Sequence, residues 1–166
     1  MTAIDDALSA AARAPRPRGR LPAAPRRRLA VLTCMDARLD PLRDFDLDIG
    51  DAHVIRNAGG RATQDALRSL LLSWHALATR QVLVIHHTEC GVHVENEAIL
   101  RERLVQQTGV SLEDVVLHTY SEPSEAVRSD IARIRSSPFA PEGLDVRGAI
   151  LDVNTGILTP VQEASA

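Results

Sequence analysis

From Leu29 onward, short apolar runs alternate with stretches whose apolar residues recur at helical spacing. Leu29–Ala30–Val31–Leu32–Thr33 is uninterrupted enough to predict a strand buried on both faces, and Ala52–His53–Val54–Ile55 predicts a second. Between Thr63 and Ala78 the apolar set Ala66, Leu67, Leu70, Leu71, Trp74 and Leu77 follows a 3.6-residue period, which predicts a helix. That helix leads into Gln81–Val82–Leu83–Val84–Ile85, the most apolar run of the chain and a third strand. Further helices are expected over Asn96–Gln107 and Ser124–Ser136, with Val115–Val116–Leu117 as a short strand between them. Val146–Val153, turned by Asn154–Thr155–Gly156 into Ile157–Leu158, reads as a hairpin at the sheet edge.

Strand, helix and strand in this order predict an α/β fold: a central, mostly parallel β-sheet flanked by helices, with an antiparallel edge strand at the C-terminus. At 166 residues there is room for one sizeable core, so the organisation expected is a single domain over residues 29–166 preceded by a separate segment, 1–28. That segment divides into a short helix, Ile4–Arg13, and a Pro/Arg-rich arm carrying Arg16, Arg18, Arg20, Arg26, Arg27 and Arg28. An arm of this composition does not pack on its own chain alone. It is either a solvated tail or a strap laid across a partner subunit.

Composition narrows the function classes. A net charge of −3 gives no electrostatic footprint for nucleic acid, and no apolar run is long enough to span a membrane. The N-terminus lacks the apolar stretch of a secretory signal, so a cytoplasmic protein acting on a small molecule is expected. All 19 basic residues are arginine, which removes lysine Schiff-base chemistry and the phosphate-loop lysine. Two cysteines, Cys34 and Cys90, stand far apart in the chain. In a reducing compartment they are more readily metal ligands, catalytic thiols or core residues than a disulfide.

Their positions favour the first of these. Cys34 follows the first core strand and His87-Thr88-Glu89-Cys90 follows the strongest one, and ligands collect at the C-terminal ends of strands in open α/β sheets. If the two strands are neighbours, Cys34, His87 and Cys90 converge with a fourth position open, the donor set of a catalytic zinc site. The H-x-x-C spacing alone is a weak signal. Cys34-Met35-Asp36-Ala37-Arg38 strengthens it by placing a carboxylate and a guanidinium on the turn that carries one ligand, although a surface ion pair or capping turn would explain Asp36 and Arg38 equally.

Together, C-x-D-x-R after the first strand, I-R-N-A-G after the second and H-H-T-x-C-G after the third resemble the β-class carbonic anhydrases, notably the short bacterial ones. The match runs from about Leu29 to Gly91, and D-V-R-G-A-I-L-D-V-N-T-G over Asp145–Gly156 is similar to that family's sheet edge. The resemblance implies one Zn²⁺ on Cys34, His87 and Cys90, an Asp36–Arg38 dyad, and a homodimer or homotetramer. It also implies an N-terminal segment packed on a partner subunit. The reaction implied is the reversible hydration of carbon dioxide to bicarbonate and a proton, with hydroxide on the metal as nucleophile and activity rising toward alkaline pH. Asp36 would accept the hydrogen of the attacking hydroxide, and Arg38 would hold Asp36 ionised. A resting form in which Asp36 becomes the fourth ligand is implied as well.

Asn57, Ala58, Gly59 and Gly60 are expected to line the substrate pocket, with glycine letting backbone approach the substrate. His86 should point away from His87 on the opposite face of its strand. Among His53, His75, His93 and His118, His93 is the first candidate for a proton shuttle because it follows Gly91. Only 2% of residues are aromatic, fewer than the family carries around its pocket, and the pocket glutamine of the plant-type enzymes has no counterpart. Asn57-Ala58-Gly59-Gly60 also resembles the relatives that hydrolyse carbonyl sulfide, which implies carbonyl sulfide as an alternative substrate, with carbon disulfide a more distant one. A non-catalytic zinc protein and a cysteine redox protein are the rivals from other classes.

Overall fold

A computed structural model describes residues 2–14 and 19–162. Four parallel strands form the sheet: β1 (Leu29–Cys34), β2 (Ala52–Asn57), β3 (Gln81–His87) and β4 (Asp145–Leu151), with β5 (Leu158–Val161) antiparallel on the edge. Their spatial order is β2-β1-β3-β4-β5. The chain therefore leaves β1 in one direction to make β2 and returns past it to make β3. The order reverses between β1 and β3, and the carboxyl ends of those two strands flank the crevice that such a reversal opens.

Helix α3 (Gln64–His75) starts at the Thr63 side-chain cap and buries Ala66, Leu70 and Trp74. Helix α5 (Pro123–Arg135) buries Ala126, Val127, Ile131 and Ile134. Both pack with Ala30, Leu32, Val82, Val84 and Val146 into one core. α5 approaches β4 closely enough that a Cβ at Gly148 would lie 2.3 Å from Val127 Cγ1, which explains a glycine inside that strand. A second cluster on the other side joins Val31, Ile85, Ala149 and Leu151 to Cys34, Cys90 and Tyr120. A short helix not foreseen from the sequence, α2 (Pro41–Asp44), brings its own Leu42 and the adjoining Leu39 and Phe45 to this side. Helix α4 (Glu97–Thr108) buries none of its residues.

The expected strand at Val115–Leu117 is not formed. Val115 and Val116 are exposed, and the carbonyls of Leu112 and Val115 are taken by the Arg101 guanidinium rather than by a ladder. β3 and β4 are already neighbours, so no vacant edge exists between them for this segment to pair with. What the region contributes instead is an isolated parallel bridge between His93 and Tyr120.

The N-terminal helix α1 (Ala3–Arg13) is held by a capping box of Thr2 and Asp5, buries no residue, and leaves Ile4 and Leu8 largely exposed. Arg16 and Arg18 of the arm lie outside the described residues. Its end does pack on its own chain, contrary to expectation. Arg26 Nε and Arg27 Nε reach the two oxygens of buried Asp51 at 2.8 and 3.1 Å, and Arg28 Nε donates to the Ala78 carbonyl at 3.0 Å. Among the described residues no helix is long and apolar enough to cross a membrane.

Candidate metal centre

β1 ends in Cys34, β3 ends in His87, and the turn after β3 supplies Cys90. The strands are hydrogen-bonded neighbours, Thr33 opposite Ile85, so residues remote in sequence meet at one end of the sheet. The donor atoms of Cys34, His87 and Cys90 lie within 4.8 Å of one another, and all three residues are buried. The two Sγ atoms are 3.9 Å apart. Two Zn–S bonds of about 2.3 Å at a tetrahedral angle would set the sulfurs about 3.8 Å apart, so the pair is already spaced for one ion.

His87 fits the same purpose. Its Nδ1 donates to the Thr88 carbonyl at 2.8 Å, which leaves the Nε2 lone pair facing the sulfurs, and Nε2 is buried with no hydrogen-bond partner among the described residues. A buried, unpaired acceptor between two thiols is costly unless something occupies the space. Thiolate and imidazole are donors that suit zinc.

Electrostatics prepare the sulfurs for a cation. Cys34 and Cys90 compete for a proton. The hydrogen bond from Cys34 draws Cys90 down to about 3, helped by the Val92 backbone N–H and Tyr120, while that same bond and burial push Cys34 up. The Gly59 N–H donates to Cys34 Sγ at 3.3 Å. For His87, burial acts downward, but the Cys90 sulfur outweighs it and the net displacement is upward. A bound dication would favour the thiolate at both cysteines and neutral imidazole at His87.

Asp36 and Arg38 meet at the mouth. Arg38 Nε and Nη2 donate to Asp36 Oδ1 and Oδ2 at 3.0 and 2.9 Å, and the Arg38 backbone N–H adds a third bond to Oδ1 at 2.9 Å. These bonds hold the Asp36 carboxyl well below the usual carboxylate range. Asp36 Oδ2 lies 3.9 Å from His87 Nε2, so the carboxylate reaches the edge of the donor triad.

The Asn57–Gly60 segment is pressed against the ligand strands. Ala58–Gly60 is a tight turn, with Gly59 and Gly60 at φ +80° and +67°. A Cβ on Gly60 would lie 2.9 Å from the Cys34 nitrogen and 3.0 Å from the Ile85 carbonyl, so only glycine fits. The Asn57 amide closes the turn, donating to the Arg61 carbonyl at 2.7 Å and accepting from its N–H at 2.8 Å. These groups face the protein's own backbone.

Several contributors were not singled out in the sequence. Arg56, within I-R-N-A-G, donates to the carbonyls of Cys34 and Asp36 at 2.9 and 2.6 Å and fixes that turn. Asp130 on α5 receives Arg61 Nε, the Ala62 N–H and His86 Nε2 at 2.7, 3.0 and 3.0 Å, tying the glycine turn to the helix. Its signal was an aspartate on the apolar stripe of a helix, between Val127 and Ile131. His86 is not among the donor triad, and its Nε2 bonds Asp130 on α5 instead. His93 is exposed, hydrogen-bonded to the Ser121 carbonyl at 2.9 Å and stacked on Tyr120.

Comparison with known proteins agrees with this geometry. A family model described as carbonic anhydrase matches residues 29–158. β-Carbonic anhydrase 1 of Mycobacterium tuberculosis is 38% identical over 144 residues, covering 87% of this chain and 88% of that protein. A carbon disulfide hydrolase of Acidithiobacillus thiooxidans is 32% identical, covering 81% and 77%. The crystal structure of a carbonic anhydrase from Streptococcus mutans superposes with a TM-score of 0.92 at 38% identity, covering 98% and 99%. With its sheet order, its buried Cys-His-Cys cluster and these relatives in agreement, the chain belongs to the β-carbonic anhydrase family.

Proposed function

We propose that this protein hydrates carbon dioxide reversibly to bicarbonate and a proton on one zinc ion held by Cys34, His87 and Cys90. The observation that carries the reading is the placement of an ionised carboxylate, Asp36, 3.9 Å from His87 Nε2, a buried nitrogen of the donor triad with no hydrogen-bond partner among the described residues. Bound in this cluster, zinc would supply Lewis-acid chemistry that makes water a nucleophile near neutral pH.

This chain's own residues do the rest. Asp36 accepts a hydrogen bond from the attacking water at Oδ2, which orients its lone pair toward the substrate carbon. Arg38 keeps that carboxylate ionised and stops it rotating. The Gly59 N–H stabilises the Cys34 sulfur as an anion, and the Thr88 carbonyl holds His87 in the tautomer that offers Nε2. Burial of all three donors limits access to the side on which Asp36 and Arg38 stand. Asn57, Ala58, Gly59 and Gly60 form the wall beside Cys34 and contribute to the pocket by backbone.

A second reading is hydrolysis of a sulfur analogue, carbonyl sulfide or carbon disulfide, on the same site. It is favoured by the relative from Acidithiobacillus thiooxidans, whose named activity is carbon disulfide hydrolysis, and by the scarcity of aromatic side chains. Stopped-flow hydration of carbon dioxide above pH 8, with turnover of carbonyl sulfide and carbon disulfide measured beside it, separates the readings. Carbon dioxide turnover exceeding both sulfur substrates is expected, and the reverse order replaces the first reading by the second. No turnover of any of the three leaves a zinc-binding homologue without activity.

We further propose that the working form is a cytoplasmic homodimer or homotetramer. Support for the assembly comes from α1, whose Ile4 and Leu8 are left largely exposed by the described residues, and from the opening beside Leu29 and Leu83 on the sheet. Residues 1–28 would then form a helix and arm outside a zinc domain spanning 29–166.

A further inference from the structure

Arg38 holds two carboxylates. Besides Asp36, it donates through Nη1 to Glu89 Oε2 at 2.9 Å and through Nη2 to the Glu89 carbonyl at 3.1 Å. Glu89 sits between His87 and Cys90 in the turn that carries both ligands, and its backbone is left-handed, with φ +55°. That conformation is unusual for a residue with a Cβ and is kept only where the surroundings enforce it. Its other oxygen, Oε1, accepts from Asn154 Nδ2 at 2.9 Å, and Asn154 belongs to the turn between β4 and β5. The same turn is bound a second time, by the Val153 N–H donating to Thr88 Oγ1 at 3.1 Å.

The consequence is geometric. An exposed ion pair contributes little to stability, but a fork committed on both sides has a fixed orientation. Nε and Nη2 face Asp36, while Nη1 and Nη2 face Glu89. Rotating Arg38 away from Asp36 breaks both sets of bonds together. Asp36, released from Arg38, is close enough to His87 Nε2 to enter the coordination shell of an ion held there, where it would block the position the substrate water needs.

We propose that Glu89, fixed by Asn154, is a positioning residue that keeps Arg38 on Asp36 and so keeps Asp36 off the metal. This rests on the catalytic reading above, and its test includes a measurement independent of turnover. Zinc-loaded Glu89→Ala, Glu89→Gln and Asn154→Ala proteins are compared for zinc content, kcat and KM for carbon dioxide, and the crystal structure of zinc-loaded Glu89→Ala is determined. Glu89→Ala is expected to keep its zinc, lose kcat about tenfold with KM little changed, and show Arg38 turned outward with Asp36 on the metal. Asn154→Ala should move the same way to a smaller degree. Glu89→Gln, which retains an acceptor for Arg38, should recover most of the loss. An intact Asp36–Arg38 pair with wild-type kcat in Glu89→Ala overturns the proposal, as does loss of zinc from that variant. If the wild-type protein turns over no substrate, the catalytic reading fails alone, and the position of Asp36 in the Glu89→Ala crystal still decides this one.

Discussion

The sulfur atoms of Cys34 and Cys90, 56 positions apart in the chain, lie 3.9 Å from each other across the ends of two adjacent strands. With His87 Nε2 unpaired beside them, this spacing matches a single tetrahedral cation. Cys90→Ser is therefore expected to lose bound zinc and to unfold at lower temperature, because metal affinity and folding are coupled through the loops the ion joins. Metal analysis and thermal melting with and without chelator check this. An equal melting temperature for the zinc-loaded wild type and the variant would contradict it.

Asp36 is proposed as an anionic acceptor rather than a fold contact, and its side-chain bonds go to Arg38 two residues away. Asp36→Asn keeps the shape and removes the charge. Zinc content should stay at one per chain, while turnover falls about a hundredfold or more. Full activity in this variant removes Asp36 from the mechanism.

Asp130 ties α5 to the glycine turn that supports Cys34. Burial acts to raise its pKa, but His86, Arg61 and the Ala62 N–H outweigh it, so the folded-state value is depressed below 3.8. A depressed carboxylate stabilises fully above its unfolded pKa and loses that contribution as pH falls through the lower folded value. Asp130→Asn should thus lose about 3 kcal/mol at neutral pH, and its stability should fall less than the wild type's between pH 5 and 2, as read by denaturant melts.

Gly60 packs its α-carbon against the backbone of both ligand strands. Gly60→Ala combines a steric clash with a positive φ and is expected to cost about 2–4 kcal/mol and to weaken zinc binding, because the strands must part at their ligand-bearing ends. Gly156, also at positive φ but with nothing within 4 Å, is the control: Gly156→Ala should lose about 1 kcal/mol or less and keep its zinc. Equal losses of stability and zinc in the two variants would contradict the close-approach argument.

The strands and the donor triad were legible because both signals are local. Apolar runs mark β1 and β3, and Cys34 and His87 end them. That β1 and β3 lie side by side was only a condition in the sequence, and the sheet order meets it. Contacts made by residues whose local pattern is unremarkable were not legible. Glu89 reads as a turn residue until Arg38 and Asn154 arrive from remote segments. Val115–Leu117 has the composition of a strand and no neighbour to pair with, so tertiary context overrode propensity. The end of the arm looked unable to pack until Asp51 offered one buried carboxylate to two arginines.

Cys34, His87 and Cys90 are proposed to hold the ion on which activity depends. The most direct test is carbon dioxide turnover of the purified protein before zinc removal, after removal by chelation, and after zinc is returned. Activity that disappears with the ion and returns with one zinc per chain is the expected result. Undiminished turnover by metal-free protein would contradict it.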